Sequence, residues 1–569
     1  MLRKLVKQRG YVSLAQFRGG ASKASQVESE NGQAGIPENR RVGCIIPCVQ
    51  HLGMTPGRAA GEKVLRLAMT LGDIPLTTGQ PSQGAEGIRF IGLTLYDSMF
   101  GWDLSRSDQA AKLIPGLAES YSVDPDTKTL WTFNLRRAVK FHDGSGFNAD
   151  AVLWNLDKLL NKGTPQFDPI QVAMAGSYLA GIKSYRKIDD YTVAITTNEP
   201  DAMLYYRLAG INFSSPERWK EVGGEWGKFA ERPSGTGPWM LEKLVPRTRA
   251  ELVRNPNYWD RERIPKLDRL ILFAMPDANT RVAALLSGEI DWVEAPPPDT
   301  VPRLKQQGMQ VVSNVYPHVW PYWLSYTADS PFHDIRLRKA ANLAIDREGL
   351  CQLLGGLAIP ARGQVDASHR WFGKPAFEIK YDPAAARKLM TEAGYGPARR
   401  CKVKFLTSNA GSGQMQPLPM NEFVQENLGQ VGFEVEIEVV DWEALRARRR
   451  ARADGAENKG VYGLNNSWSL MDPDFGLLSV IHSKNAPPVG NNWGLYNDPI
   501  ADALCDKARL EFDIDRQDQA LAALHQYIVD QAMWIWVVHD LNPRALAPKL
   551  KGFVPAQAWY VNLSALDMA

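Results

Sequence analysis

The chain is 569 residues long, with 44% hydrophobic and 23% charged residues, the make-up of a globular protein with room for three or more domains. A net charge of +3 is too mild to ask for a polyanionic partner, so nucleic-acid binding gains no support. No run of 18 apolar residues occurs, so no membrane-spanning helix is expected.

The head of the chain is basic over residues 1–9 and then polar and Gly/Ser-rich over 10–40, without the apolar stretch of a clean signal peptide. Arg40-Arg41 opens a second candidate, interrupted by Pro47, Gln50 and His51, and Ala59-Ala60 before Gly61 supply the small residues of a cleavage site. Residues 1–61 therefore read as a degenerate leader, expected to lack order. The five cysteines (Cys44, Cys48, Cys351, Cys401 and Cys505) form no CxxC pair and no zinc spacing, and they fix no redox compartment.

Order is expected from Val64, Leu65 and Leu67, which lead a first strand. Residues 72–87 are rich in Gly and Pro and read as loop, and 88–100 as a helix. The stretch 113–152 is the most informative. Asp124-Pro125-Asp126 supplies turn chemistry, and Trp131, Phe133 and Leu135 alternate with polar residues as in a half-buried strand. Asn148 then offers an N-cap for a helix to Leu160, with Asp150 in its first turn. Further on, Asp277 and Gly288 frame a helix, and Asp346 caps another. Asp382-Pro383 and Gly394 frame a third, and a helix over 421–431 stops at Gly432. Phe433, Val435, Ile437 and Val439 alternate with three glutamates, the pattern of an edge strand or one with a wet face.

The motifs at 115–120, 133–136 and 140–144 (PGLAES, FNLR, KFHDG) resemble the signature of the family 5 extracellular solute-binding proteins, the peptide- and nickel-type receptors of ABC importers. The resemblance continues in Gly235-Thr236-Gly237-Pro238, in RNPNYW at 254–259 and in LLSGEID at 285–291. It extends to 338–347 and 381–386, and so covers roughly 63–560. It implies an α/β, two-lobed periplasmic-binding-protein fold of the hinge-closing class II kind with an extra inserted domain. By analogy the first lobe comprises 62–96, 231–310 and 538–569, the inserted domain 97–230, and the second lobe 311–537.

No GxSxG, HExxH, GxxxxGK[ST] or GxGxxG motif is present, and no two histidines stand at i, i+4. No catalytic residue, metal ligand or cofactor is expected, and His142 reads as a hydrogen-bonding turn residue. The basic run Arg446, Arg448, Arg449, Arg450 and Arg452 reads as a solvated helix face.

Binding candidates are better supported. Aromatic residues crowd at 316–326, where strand alternation puts Trp320 and Tyr322 on one face and Val319 and Trp323 on the other. Trp320 and Tyr322 are candidates for one wall of a cleft. The segment 465–475, with Asn466, Trp468 and Asp472, resembles the family's ligand loop. In peptide-binding members an aspartate shortly after that tryptophan neutralises the ligand's ammonium. Here only three residues separate Trp468 from Asp472, so the loop is short and the separate anchoring aspartate is missing. Trp493 on a Gly/Asn loop is a further candidate. The resemblance implies a monomeric periplasmic receptor that captures a small solute, peptide or peptide-like, and delivers it to membrane permease subunits. The alternative is an enzyme or sensor domain with the cleft put to another use.

Overall fold

The computed structural model describes residues 61–179 and 181–569. The leader expected at 1–61, with Cys44 and Cys48, lies outside them but for Gly61.

Two seven-stranded sheets organise the described residues. In the first, Val64–Met69 lies between two parallel neighbours, Arg269–Ala274 and Trp292–Glu294. Parallel strands need a crossover, and the helix Ala278–Leu286 supplies it. Asp277 caps that helix by accepting from the Thr280 N–H at 2.7 Å, and Gly288 follows it with φ +77°, where a side chain would be strained. Arg249–Arg254 and Trp239–Val245 extend this sheet on one side, Arg544–Leu546 and Gln310–Val312 on the other.

The second sheet runs Ala358–Pro360, Ile535–Asp540, His318–Leu324, Val461–Asn465, Cys401–Ser408, Phe433–Val440, with the short strand Trp468–Ser469 also on His318–Leu324. Phe433–Val440 is its edge, as its alternation predicts, and Glu436 meets Lys404 across the strand pair at 2.8 Å. The helices Ile335–Ala344, Pro383–Glu392 and Pro417–Val431 contribute to one continuous core with this sheet. The last is one turn longer than expected, starting at Pro417, and stops at Gly432 with φ +117°. The chain passes from the first sheet to the second between Val312 and His318, and returns between Asp540 and Arg544.

A third, four-stranded sheet orders Ala118–Val123, Leu130–Leu135, Thr192–Thr197 and Ile182–Asp189. Trp131, Phe133 and Leu135 are buried in one core with the helix Ala149–Leu160, which Asn148 caps through the Ala151 N–H at 3.0 Å. The segment meets the first sheet at a convergence of sequence motifs. The Nδ1 of His142 accepts from the Gly235 N–H at 3.3 Å, so its Nε2 carries the proton donated to the Gly237 carbonyl at 2.9 Å. Burial lowers this imidazole to about pKa 4 and keeps it neutral, a structural role. Thr236, Tyr258 and Trp259 all donate to Asp97 at 2.8–2.9 Å.

The helix expected over 88–100 is shorter. Residues 88–95 are helical, 84–87 form a helical turn where loop was expected, and Phe100–Trp102 is a strand paired with Leu113–Pro115. Tertiary pairing overrides propensity here. The Gly237 N–H bonds the Leu95 carbonyl at 3.1 Å and the Leu117 N–H the Ser98 carbonyl at 3.0 Å, drawing the backbone out of the helix.

Candidate functional site

A cavity of about 570 Å³, within the usual range of small-ligand sites, opens beside the strand Trp468–Ser469. Its walls come from Pro81 and Ile88 of the first sheet's side, from Leu159, Phe167 and Tyr178 of the inserted segment, and from Trp442, Trp468 and Asp472 of the second sheet's side. The two sides touch around it: the Glu86 N–H donates to Ser412 Oγ at 3.1 Å, and Arg446 meets the Met174 sulfur at 3.9 Å.

Local geometry explains how the sequence places this wall. Val461–Asn465 pairs antiparallel with the inner strand, Tyr322 opposite Asn465, and the chain then turns so that Trp468 pairs with Val319. Gln414 Oε1 accepts from the Ser467 N–H at 2.8 Å and fixes that turn. Asn466 lines the cavity, and its buried Oδ1 has no hydrogen-bond partner. Asp472 accepts from the Phe475 N–H at 2.7 Å, holding its own turn, and also lines the cavity. Burial pushes its carboxyl up to about 7, against the Phe475 N–H and with Asp474 adding to the rise.

Trp468 sits at the back of the cavity and is only 3% exposed. Trp323 meets it edge-on at 4.9 Å, and the Arg449 guanidinium lies 5.0 Å from its ring centre. Tyr560 and Trp559 line the cavity from the chain's C-terminal segment. His318 also lines it and stands 3.8 Å from Asp540. Burial, with His539 and Arg89 nearby, drives its pKa well below the ordinary value, so the pair is not ionic.

Three sequence candidates, Asn466, Trp468 and Asp472, are brought together here. Trp320 and Tyr322 are not. Both are fully buried on the other face of His318–Leu324, packed with Leu324, Phe332, Phe405 and Met420. The alternation along the strand holds, but both of its faces are covered, and the face that backs the cavity is that of Val319 and Trp323. Trp493 is likewise core. It packs with the Trp323 and Trp468 cluster, and its carbonyl accepts from the Ala453 N–H at 2.9 Å.

The reading of the arginine run as a solvated face is corrected in part. On the helix Trp442–Arg450, Arg446, Arg449 and Arg450 line the cavity, whereas Arg448 pairs outward with Glu438 at 2.8 Å. Spacing alone put these residues on one helical face; it carried no sign of what that face would meet. Tyr178 and Tyr560 line the cavity from other segments, where no local pattern marks them.

A separate cavity of about 390 Å³ is lined by Glu86, Arg89 and Glu294, among others. Several of its charges pair with one another. Glu294 bonds Arg89 and accepts from Arg544 Nε at 2.8 Å and Trp292 Nε1 at 2.7 Å, and Glu86 accepts from the Thr70 backbone at 2.8 Å. Among the described residues no group of His, Cys, Asp and Glu could hold a metal ion.

Residues 112–487 match the model for bacterial extracellular solute-binding proteins, family 5 Middle. The glutathione-binding protein GsiB of Salmonella choleraesuis is 29% identical over 467 residues, covering 81% of this chain and 86% of its own. Heme-binding protein A of Haemophilus influenzae is 27% identical over 476 residues, covering 78% and 82%. Among solved structures, the periplasmic binding protein DppA from Helicobacter pylori in complex with peptide STSA superposes with a TM-score of 0.76 at 22% identity, covering 89% of this chain and 98% of that one. The last likeness concerns the fold, which is two-lobed.

Proposed function

The chain belongs to the bacterial extracellular solute-binding proteins of family 5, substrate receptors of ABC importers rather than enzymes, and from that premise we propose that it captures a peptide-like solute in the 570 Å³ cavity. The observation that carries this reading is the wall of that cavity. Aromatic surface from both sides of the two crossings surrounds a volume lined by the carboxylate of Asp472, which has no cation within ion-pair distance among the described residues. A ligand ammonium at Asp472 would form a charge-assisted contact in a site from which closure removes water. Glutathione, named for the relatives that are 29% identical, is a compound of this kind, with an amine and a peptide backbone.

Capture follows from hinge closure. A ligand touching both lobes binds only the closed state fully and so shifts the population toward it. The hinge in this reading is the pair of crossings 313–317 and 541–543, which join the two large sheets. In this reading the receptor works as a monomer in the periplasm and hands its solute to permease subunits. No described helix is long and apolar enough to cross a membrane.

Native mass spectrometry of the gently purified protein tests the reading, followed by calorimetric titration of the stripped protein with the released compound. An amine-bearing solute that Asp472→Asn binds at least tenfold more weakly is expected. A solute without an amine, or one that Asp472→Asn binds as tightly as the parent, overturns the assignment of Asp472.

A further inference from the structure

Among the described residues the positive charges lining the cavity outnumber the negative ones, and three of the four have no carboxylate within ion-pair distance. Of the arginines on the helix Trp442–Arg450, Arg448 is spent on Glu438 at 2.8 Å and Asn458 at 2.8 Å, and Arg446 on Glu443 at 3.0 Å. Arg449 and Arg450 stand within ion-pair distance of no carboxylate among the described residues, and neither does Lys162, which lines the same cavity. Against these three cations the cavity presents one carboxylate, Asp472. Its neighbour Asp474 is already paired with Arg207 at 3.4 Å.

Arg449 is also held in place. Its guanidinium lies over Trp468 at 5.0 Å and near Trp323 at 5.8 Å, an arrangement that fixes a planar cation while leaving its edge N–H donors to point elsewhere. Burial, together with the like charges of Arg446 and Arg450, lowers its pKa to about 9, a sign of positive charge that lacks compensation. A helix dipole favours basic residues in its last turn anywhere, but it does not require them to line a ligand-sized cavity.

Building on the cleft reading above, we propose that Arg449 and Arg450 form a carboxylate subsite and that the solute is a net anion, a small peptide-like acid with at least two carboxylates against one amine. Asp472 takes the amine and Arg449 a carboxylate, bidentate on the guanidinium fork. A phosphate is disfavoured, because its second charge would face Asp472 in the same cavity.

The test uses the full chain, stripped of ligand, titrated with short peptides in matched pairs that carry glutamate or glutamine at one position. The acidic member is expected to bind at least tenfold tighter than its amide mate. Arg449→Gln should shrink that preference below threefold, while Arg448→Gln, which removes an outward-paired arginine from the same helix, should leave it intact. Equal affinity for the two members of every pair overturns the proposal, as does an equal loss of preference in both variants. Should no peptide bind, the mass of the solute retained by the native protein decides. An acidic non-peptide upholds the subsite and sinks the peptide reading, whereas a neutral or cationic solute sinks the subsite.

Discussion

Trp468 stacks on Phe475 with ring centres 4.2 Å apart and planes at 16°, and its indole N–H donates to the Phe475 carbonyl at 3.0 Å. The short loop between them thus closes on itself. Its tryptophan braces its own turn and carries Arg449.

Trp468→Ala is therefore expected to act on stability and on affinity together. Removing a side chain that is 3% exposed and shared by Phe475, Trp323 and Arg449 costs about 3–5 kcal/mol. Urea unfolding should show that loss, and calorimetry a weaker preference for acidic ligands, because Arg449 loses its platform. Trp468→Phe keeps the stack but gives up the hydrogen bond, at about 1 kcal/mol.

Tyr322→Phe separates core from cleft. The Tyr322 hydroxyl donates to Asn421 Oδ1 at 2.5 Å, and Asn421 Nδ2 in turn donates to Thr407 Oγ1 at 3.1 Å, all of it buried. Removing the hydroxyl leaves an acceptor unsatisfied and should cost about 1–3 kcal/mol in urea unfolding. Ligand affinity should not change. A loss of affinity without loss of stability would return Tyr322 to the ligand wall.

Most elements are legible in the sequence because their signals are local. Asn148, Asp277 and Asp382 cap helices where their side chains reach N–H groups three residues on, and Gly288, Gly394 and Gly432 follow the ends of helices with positive φ. The site is less legible because it depends on which faces meet. The seven residues of His318–Leu324 are buried on both faces, so alternation could not say whether Trp320 or Trp323 backs the ligand. Likewise Arg446, Arg449 and Arg450 form one helical face in the sequence whether that face meets water or a cavity. Only the packing of the inserted segment, with Met174 against Arg446, turns it inward.

Glu294→Gln should destabilise the first lobe. Glu294 is buried between Arg89 and Arg544, and Arg89 Nε also donates to the Trp559 carbonyl at 2.8 Å. Burial alone would raise the Glu294 carboxyl, but Arg544 and Arg89 more than offset it and hold it below the usual range. The neutral amide leaves two buried guanidiniums short of an anion, at about 3–5 kcal/mol. Because the folded pKa is depressed, the parent's advantage over the variant is full above the unfolded glutamate pKa near 4.5 and shrinks as pH falls through the folded value. Urea midpoints of both proteins at pH 7 and pH 3.5 check the sign.

Asp472 gives binding its own pH profile. In the free protein burial raises this carboxyl to about 7, so below that pH it is largely protonated and cannot meet an ammonium as an ion. A bound ammonium favours the carboxylate, lowering the pKa in the complex, so binding releases a proton. Affinity for the peptide ligand should then rise from pH 5.5 to 7, by up to about tenfold per unit, and level off above. The peptide's own amine, with a pKa of about 7.7–8, and Arg449, lowered to about 9, together bring a fall beyond pH 8. His318 does not contribute to the profile, because it remains neutral across the range. Asp472→Asn should abolish the rise below pH 7 while keeping the fall above pH 8, a pairing that a merely structural role for the turn would not produce. Calorimetry at half-unit steps from pH 5.5 to 9 reads both limbs, and a flat parent profile between 5.5 and 7 would remove Asp472 from the ammonium contact.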